Sequence, residues 1–407
     1  MVADARAGLD ALDRTLATWA APADWTTKAR DASPACVILY ICGADRAARP
    51  FLIASKNCRR GSHGLPIAPT PVTPPLNLLL KELYRRPRNR SEWQARFRYW
   101  QRPASKTEEA KIEATARRVA AALRHSAFLP QRQWRVVKKG SYHDNTNVRV
   151  DSDMDLGVCL MDAFFMDGPQ SDFPTLGELG REPLPFRFDQ YKAHIAWCLQ
   201  QEFGARAITI GKKAIHVHRD DNEKIHADVV PAFTFQLYGP RSGPFGLRGV
   251  TENGIALITS EGRRITNFPD QHYANGCAKN DRTRRRYKRV VRILKRLRNH
   301  IAENPDAPQS IRAAAKSTAS FLIDCLVYNC PDTVFENAEI YDDVVGVLRY
   351  LSAVLNDPAD GRTLLGMPSW VFWREVNGIK PLFGLEQAWT VAGAASFIGY
   401  ARAYMEV

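Results

Sequence analysis

The chain lacks the cysteine patterns that mark zinc or disulfide scaffolds. Its eight cysteines (positions 36, 42, 58, 159, 198, 277, 325 and 330) form no Cys-x-x-Cys pair and no Cys/His cluster at zinc spacing in 407 residues. That excludes a zinc ribbon or disulfide-stapled fold and suits a reducing cytoplasm. Long uncharged runs are missing too: Ala388 to Ala401, the longest near the C-terminus, falls short of the roughly 18 to 20 apolar residues that cross a bilayer. No membrane partner is expected. Asp4, Asp10 and Asp13 stand among the first residues, without the basic-then-apolar order of a signal peptide, so export is not expected. There is no fixed-period repeat. Acid is scarce beside base, 43 residues against 57 for a net charge of +14, a balance that favours polyanionic partners. With 45% hydrophobic and 25% charged residues, the chain has material for one large or two medium globular domains, not a disordered or fibrous protein.

The first 90 or so residues read apart from the rest: a weak helix (Ala5 to Trp19), a strand-like run (Cys36 to Cys42) and a proline-rich linker (Pro66, Pro69, Pro71, Pro74, Pro75). The main domain is expected to begin near Trp100, with a helix over Lys106 to Arg124 capped by Ser105 and Glu108. Short β-like runs follow at Trp134–Val137, Asp155–Leu160, Ala207–Ile210, Ala214–His218 and Ile225–Val230, predicting a mixed sheet with helices against it. From Thr283 the periodicity turns helical, including Ser320 to Tyr328 and Ile340 to Val354. The expected fold class is α+β, divided as residues 1–95, 96–270 and 271–407.

The most informative segment holds Gly140-Ser141 and, after eleven intervening residues, Asp153-x-Asp155 at the head of an apolar strand. Gly140 lets the backbone approach a ligand closely, and Ser141 adds a hydroxyl beside backbone amides, a combination suited to phosphate. Asp153 and Asp155 share one face because strand side chains alternate. Two converging carboxylates repel unless a cation lies between them, and hard oxygen donors suit Mg²⁺. A third acid on an adjacent strand would complete a two-metal site, and Asp228 in Ile225–Val230 supplies it. An isolated Asp-x-Asp is usually a solvated turn; the Gly-Ser at this spacing reverses those odds. Asp151 has the same parity but precedes the strand, and is read as a turn residue.

Between Lys279 and Arg298 lie eleven basic residues and one acid, Asp281, around an apolar stripe through Tyr287, Val290, Val291, Leu294 and Leu297. Lys288, Arg292 and Lys295 flank the stripe and are expected to reach an active-site triphosphate. Arg285, Arg289 and Arg296 point farther away and read as a solvated face. His216, His218 and His226 lack a fourth zinc ligand and read as strand-surface histidines. Tyr142 and Tyr238 are candidates for base stacking, though aromatics more often pack.

These residues resemble a family. Lys139 to Leu156 is similar to the bacterial cGAS/DncV-like nucleotidyltransferases, the CD-NTases that make cyclic oligonucleotide signals. Further similarity runs through Tyr99-Trp100, Pro103 and Ser105–Glu108; through Asn267-Phe268-Pro269, His272, Asn275-Gly276, Lys279-Asn280, Thr283 and Tyr287–Val291; and through Ser320-Phe321-Leu322 to Tyr328–Pro331. The resemblance covers about residues 98 to 400. It implies a polymerase-β-like nucleotidyltransferase core and a helical domain like that of oligoadenylate synthases, with the active site in the cleft between. Carried over by position, Gly140 and Ser141 would contact the donor triphosphate. Asp153, Asp155 and Asp228 would be catalytic and bind two Mg²⁺, which Mn²⁺ can replace. Lys288 would steady phosphates, with Lys279 and Asn280 as weaker nucleotide-binding assignments. The first 90 residues have no counterpart, being either an added module or an upstream mis-assigned start, and Tyr404–Val407 gives no flexible Gly or Ala tail.

The expected function is therefore metal-dependent joining of nucleoside triphosphates, ATP and GTP among them, into a cyclic di- or trinucleotide, with release of pyrophosphate. The product would activate an anti-phage effector, leaving room for a regulatory protein and requiring no nucleic acid. The rivals are nucleotidyl transfer to RNA ends or a small acceptor, and a non-catalytic nucleic-acid-binding sensor that uses the basic helix.

Overall fold

The computed structural model describes residues 85–103, 105–124, 126, 128–148, 154–167, 186–218, 226–239, 250–356 and 367–407, all within one compact unit, Val72–Val407. The helix, strand and linker expected before residue 80 lie outside the described residues. Among the described residues the sheet has seven strands: β1 (Trp134–Lys139), β2 (Met154–Asp167), β3 (Ile208–Ile210), β4 (Ile215–Val217), β5 (Ala227–Tyr238), β6 (Val250–Ile258) and β7 (Arg264–Asn267). Its order is β1-β2-β5-β4-β3, with β6 on the far half of β5 and β7 outside it. Only β2 and β5 run parallel, so the sheet is mixed, as expected. Strands β6 and β7 were not foreseen.

The helices are α1 (Arg90–Trp100), α2 (Lys106–Arg124), α3 (Gly140–His143), α4 (Phe188–Phe203), α5 (Pro269–Arg282), α6 (Tyr287–Glu303), α7 (Gln309–Ser317), α8 (Ser320–Tyr328), α9 (Ile340–Asn356) and α10 (Val391–Met405). Alternation along β2 decides what faces what. Met154, Leu156, Val158 and Leu160 pack with Val119 and Leu123 of α2 and Ile195 and Leu199 of α4 in one buried cluster. Residues of the other parity, Asp155 first, therefore lie on the opposite face. On β5 Ala227 and Val229 join the same cluster, which leaves Asp228 on the face of Asp155. None of the described helices is long and apolar enough to cross a membrane.

A second cluster gathers α6, α8, α9 and α10, and it takes in Trp93, Phe97 and Trp100 of α1. The chain thus enters the folded region at least ten residues before Trp100: α1 crosses the expected boundary at residue 95/96 and belongs with the C-terminal helices. Its buried residues recur at i, i+4 and i+7, the spacing of one helical face. Asn89 caps it, its side chain accepting from the Glu92 N–H. Phe97→Ala should cost about 3–5 kcal/mol in denaturant unfolding, because the ring is fully buried. A cost under 1 kcal/mol would return α1 to the N-terminal extension.

Candidate active site

Four ionisable side chains form one rank across four neighbouring strands. The register sets Lys139 opposite Asp155, Asp155 opposite Asp228, and Asp228 opposite His216. Two carboxylates thus stand side by side on the sheet face that the α2 and α4 helices leave uncovered, with a nitrogen base at each end. His216 Nδ1 is 2.6 Å from Asp228 Oδ1. The Lys139 stem crosses Gly157, where a Cβ would lie 3.2 Å from Lys139 Cδ. Burial pulls the Lys139 ammonium below the ordinary lysine value, and the charge of Asp155 pulls the other way.

Strand β1 ends at Lys139, the N-cap residue of the single turn α3. Gly140 takes φ +69°, left-handed space that glycine occupies without a Cβ penalty. A side chain there would also run into the Asp155 carboxylate. The Gly-Ser turn and the acid strand are therefore in direct contact. The oxygen donors of Asp155 and Asp228, adjacent and on one face, fit a hard divalent cation. Asp153 lies outside the described residues.

Asp155 opens into a cleft of about 1370 Å³ whose walls come from α1, α2, β1, α3, α5 and α6. Of the nucleotide-binding residues expected from the sequence, Lys288 and Asn280 line it. Lys288 is buried, with Nζ 3.4 Å from Cys277 Sγ and 5.5 Å from the Tyr273 ring centroid. Asn280 Oδ1 accepts from the Lys288 N–H at 3.2 Å. Tyr142 also lines the cleft, while Tyr238 is buried on β5 with its hydroxyl on Gln236. Gly140 borders a cavity of about 80 Å³ that shares Lys139 and His143 with the cleft. Ser141 lies in α3, its carbonyl accepting from the Thr146 N–H at 2.8 Å, and neither Ser141 nor Asp228 lines the cleft.

Lys279 departs from expectation. Its buried ammonium turns to the Cys330 carbonyl at 2.8 Å and Asp332 Oδ1 at 2.7 Å, between the Tyr328 and Phe335 rings. It joins α5 to the turn after α8 and does not line the cleft. Lys279→Met should therefore cost about 1–3 kcal/mol of stability and leave turnover per folded molecule unchanged, which paired denaturation and pyrophosphate-release assays would check.

The basic helix is also divided differently from its expected faces. Arg285 and Arg289, read as solvated, line the cleft together with Arg98 and Arg102. Lys295 and Arg296 turn to backbone carbonyls, and Arg292, though it borders the cleft, does the same. Periodicity located the buried stripe but could not tell which flank meets the cleft. Among residues the sequence reading missed, Lys139 directly precedes the Gly-Ser pair. His143 stacks on Tyr273 with centroids 4.4 Å apart. Their contact joins segments 130 residues apart in sequence and leaves no local pattern.

An α+β fold with a mixed sheet, adjacent carboxylates on the open face, and a basic helical wall across a cleft defines a nucleotidyltransferase. The family model of the cGAS/DncV-like nucleotidyltransferase C-terminal helical domain matches residues 274–406. The cyclic dipyrimidine nucleotide synthase CdnE of Legionella pneumophila is 34% identical over 317 residues, covering 77% of this chain and 98% of that protein. The cyclic dipurine nucleotide synthase of Elizabethkingia meningoseptica is 31% identical over 67% of this chain and 88% of its own length. Among solved structures, the Rhodothermus marinus CdnE c-UMP-AMP synthase with Apcpp and Upnpp superposes with a TM-score of 0.62 at 25% identity, over 77% of this chain and 96% of that one. The chain belongs to the cGAS/DncV-like nucleotidyltransferase family, in its CdnE branch. It is a cyclic nucleotide synthase that uses nucleoside triphosphates.

Proposed function

We propose that the chain joins two nucleoside triphosphates into a cyclic dinucleotide in a metal-dependent reaction, and that the product activates an anti-phage effector. The observation that carries this reading is the placement of Asp155 directly opposite Asp228, with Gly140 against the Asp155 carboxylate, at a cleft with cationic walls. Asp153, Asp155 and Asp228 would hold two divalent ions, Mg²⁺ or Mn²⁺. When bound, such ions lower the pKa of the attacking ribose hydroxyl and neutralise triphosphate charge. The chain's own groups do the rest. Gly140 and Ser141 approach the donor phosphates, Lys288 and Asn280 steady them, and Arg285 and Arg289 add positive charge at the cleft wall. Asp228, 2.6 Å from His216 Nδ1, would accept the proton of the attacking hydroxyl. We assign the catalytic core to about residues 101–270 and the helical part to α1 together with 271–407.

The relatives are named for dipyrimidine, dipurine and mixed products, so product analysis assigns the bases. The protein is incubated with labelled ATP, GTP, CTP and UTP and Mg²⁺ or Mn²⁺, treated with phosphatase, and its products separated beside an Asp155→Asn control. A phosphatase-resistant dinucleotide absent from the control is the expected result. Consumption only with added RNA would replace it with terminal transfer, and salt-sensitive RNA binding without consumption would replace it with a sensor.

A further inference from the structure

Three cations on one face of α6, at i, i+3 and i+4, all turn to the same short loop. Arg292 Nη1 donates to the Asn145 carbonyl at 2.5 Å, and Arg292 Nε to the Gln101 carbonyl at 2.7 Å. Lys295 Nζ reaches the Thr146 carbonyl at 3.3 Å and the Thr146 hydroxyl at 3.1 Å. Arg296 donates through Nε to the Val148 carbonyl at 3.4 Å, and through Nη1 to the Tyr99 and Trp100 carbonyls at 3.1 and 2.7 Å. In sequence this loop follows the Gly140-Ser141 turn and precedes β2, and Asp155 comes seven residues after Val148.

Two further observations set these contacts apart from incidental surface bonding. Lys295 is 1% exposed and Arg292 6%, so each is held where only full pairing makes a charge tolerable. Asp324, itself buried, faces Lys295 at 2.8 Å and accepts from the Thr146 hydroxyl at 3.2 Å. Asn145, at φ +55°, follows the C-cap residue of α3 in the left-handed conformation that asparagine commonly takes at a helix C-terminus. The carbonyl of this capping residue is the one that Arg292 holds.

We infer that Arg292, Lys295 and Arg296 are positioning residues for the transfer reaction: they fix the Asn145–Val148 loop so that the Gly-Ser turn, the metal-binding carboxylates and Lys288 keep one common frame. The inference rests on the proposed metal-dependent transfer. The cations touch neither substrate nor metal in this role; they act through the loop backbone. A loosened loop lets the carboxylates drift from the phosphates, so metal affinity and turnover fall while nucleotide affinity changes little.

The test uses the full chain with three changes: Arg292→Met, Arg292→Lys, and the double variant Lys295→Met with Asp324→Asn, which removes the buried pair without stranding either charge. Mn²⁺ affinity is read by electron paramagnetic resonance with a non-hydrolysable triphosphate present, alongside kcat and KM from pyrophosphate release. We expect Arg292→Met and the double variant to weaken Mn²⁺ binding by about tenfold or more and to lower kcat by about 10- to 100-fold, with KM within about threefold. Arg292→Lys, which keeps the charge and loses the forked donor, should lie between. Folded variants with a lower melting temperature but wild-type Mn²⁺ affinity and kcat per folded molecule would overturn the inference. Should Arg292→Met fail to fold, Arg292→Lys decides by the same two readouts. A wild-type protein that binds no Mn²⁺ and releases no pyrophosphate would instead overturn the proposed chemistry, and the positioning role with it.

Discussion

Asp155→Asn should abolish dinucleotide synthesis, lowering turnover by about 10³-fold or more, the several kcal/mol expected when a metal-held charge is lost at a phosphoryl-transfer centre. The amide keeps the size and leaves the strand in place. Its effect on stability should be small, because the carboxylate stands between an attraction to Lys139 and a repulsion from Asp228, each opposite it in register. Removing one charge releases both, and the lost attraction and the relieved repulsion offset each other, so the melting temperature should change little. Turnover by pyrophosphate release and melting temperature, measured on one preparation, separate chemistry from folding. A variant that melts like wild type yet retains more than about a tenth of its turnover would remove Asp155 from the metal set.

That prediction rests on a site whose central geometry was legible in the sequence. Parity placed Asp155 opposite the face of Leu156 and Leu160, and the β-branched run around Asp228 was long enough to be read as a neighbouring strand. The structure sets the two acids side by side. The core strands were legible for the same reason: they are buried on at least one face and keep an apolar alternation. Strand β6 was not, since its first half reads Val-Thr-Glu-Asn-Gly and takes its place only by pairing with β5. Helix α1 carried its signal in Trp93, Phe97 and Trp100, but Arg96 and Arg98 among them and Arg90 before them dilute the apolar stripe.

The basic helix shows the limit most clearly. Its periodicity identifies the buried stripe, yet Arg292 and Lys295 are distinguished from Arg285 and Arg289 only by the loop at Asn145–Val148, about 147 residues earlier in the chain. No local pattern carries that information. Lys279 illustrates the converse, since its partner Asp332 lies about 53 residues away and claims the ammonium before any phosphate can.

Gly140→Ala should be the most damaging change that alters no charge. Two costs are combined at this position, and they can be separated. The first is backbone: at φ +69° an alanine is strained by about 1–2 kcal/mol. The second is contact, because the new methyl would meet the Asp155 carboxylate, and relief requires moving the turn, the acid or both. A displacement of about 1 Å at a reacting centre is worth about 10²-fold in rate, so turnover should fall by that order beyond any loss of folded protein. Gly262→Ala is the matched control. Its φ is +80°, but nothing lies within 4 Å of the point where a Cβ would stand, so it should bear the backbone cost alone and keep wild-type turnover. The contact also predicts coupling. Once Asp155 is asparagine, adding Gly140→Ala should lower residual turnover far less than it does in the wild-type background, because both changes disturb the same carboxylate. Full additivity in that double-mutant cycle would show that Gly140 acts through the backbone of the turn alone, and that the Gly-Ser motif and the acid strand are independent parts of the site.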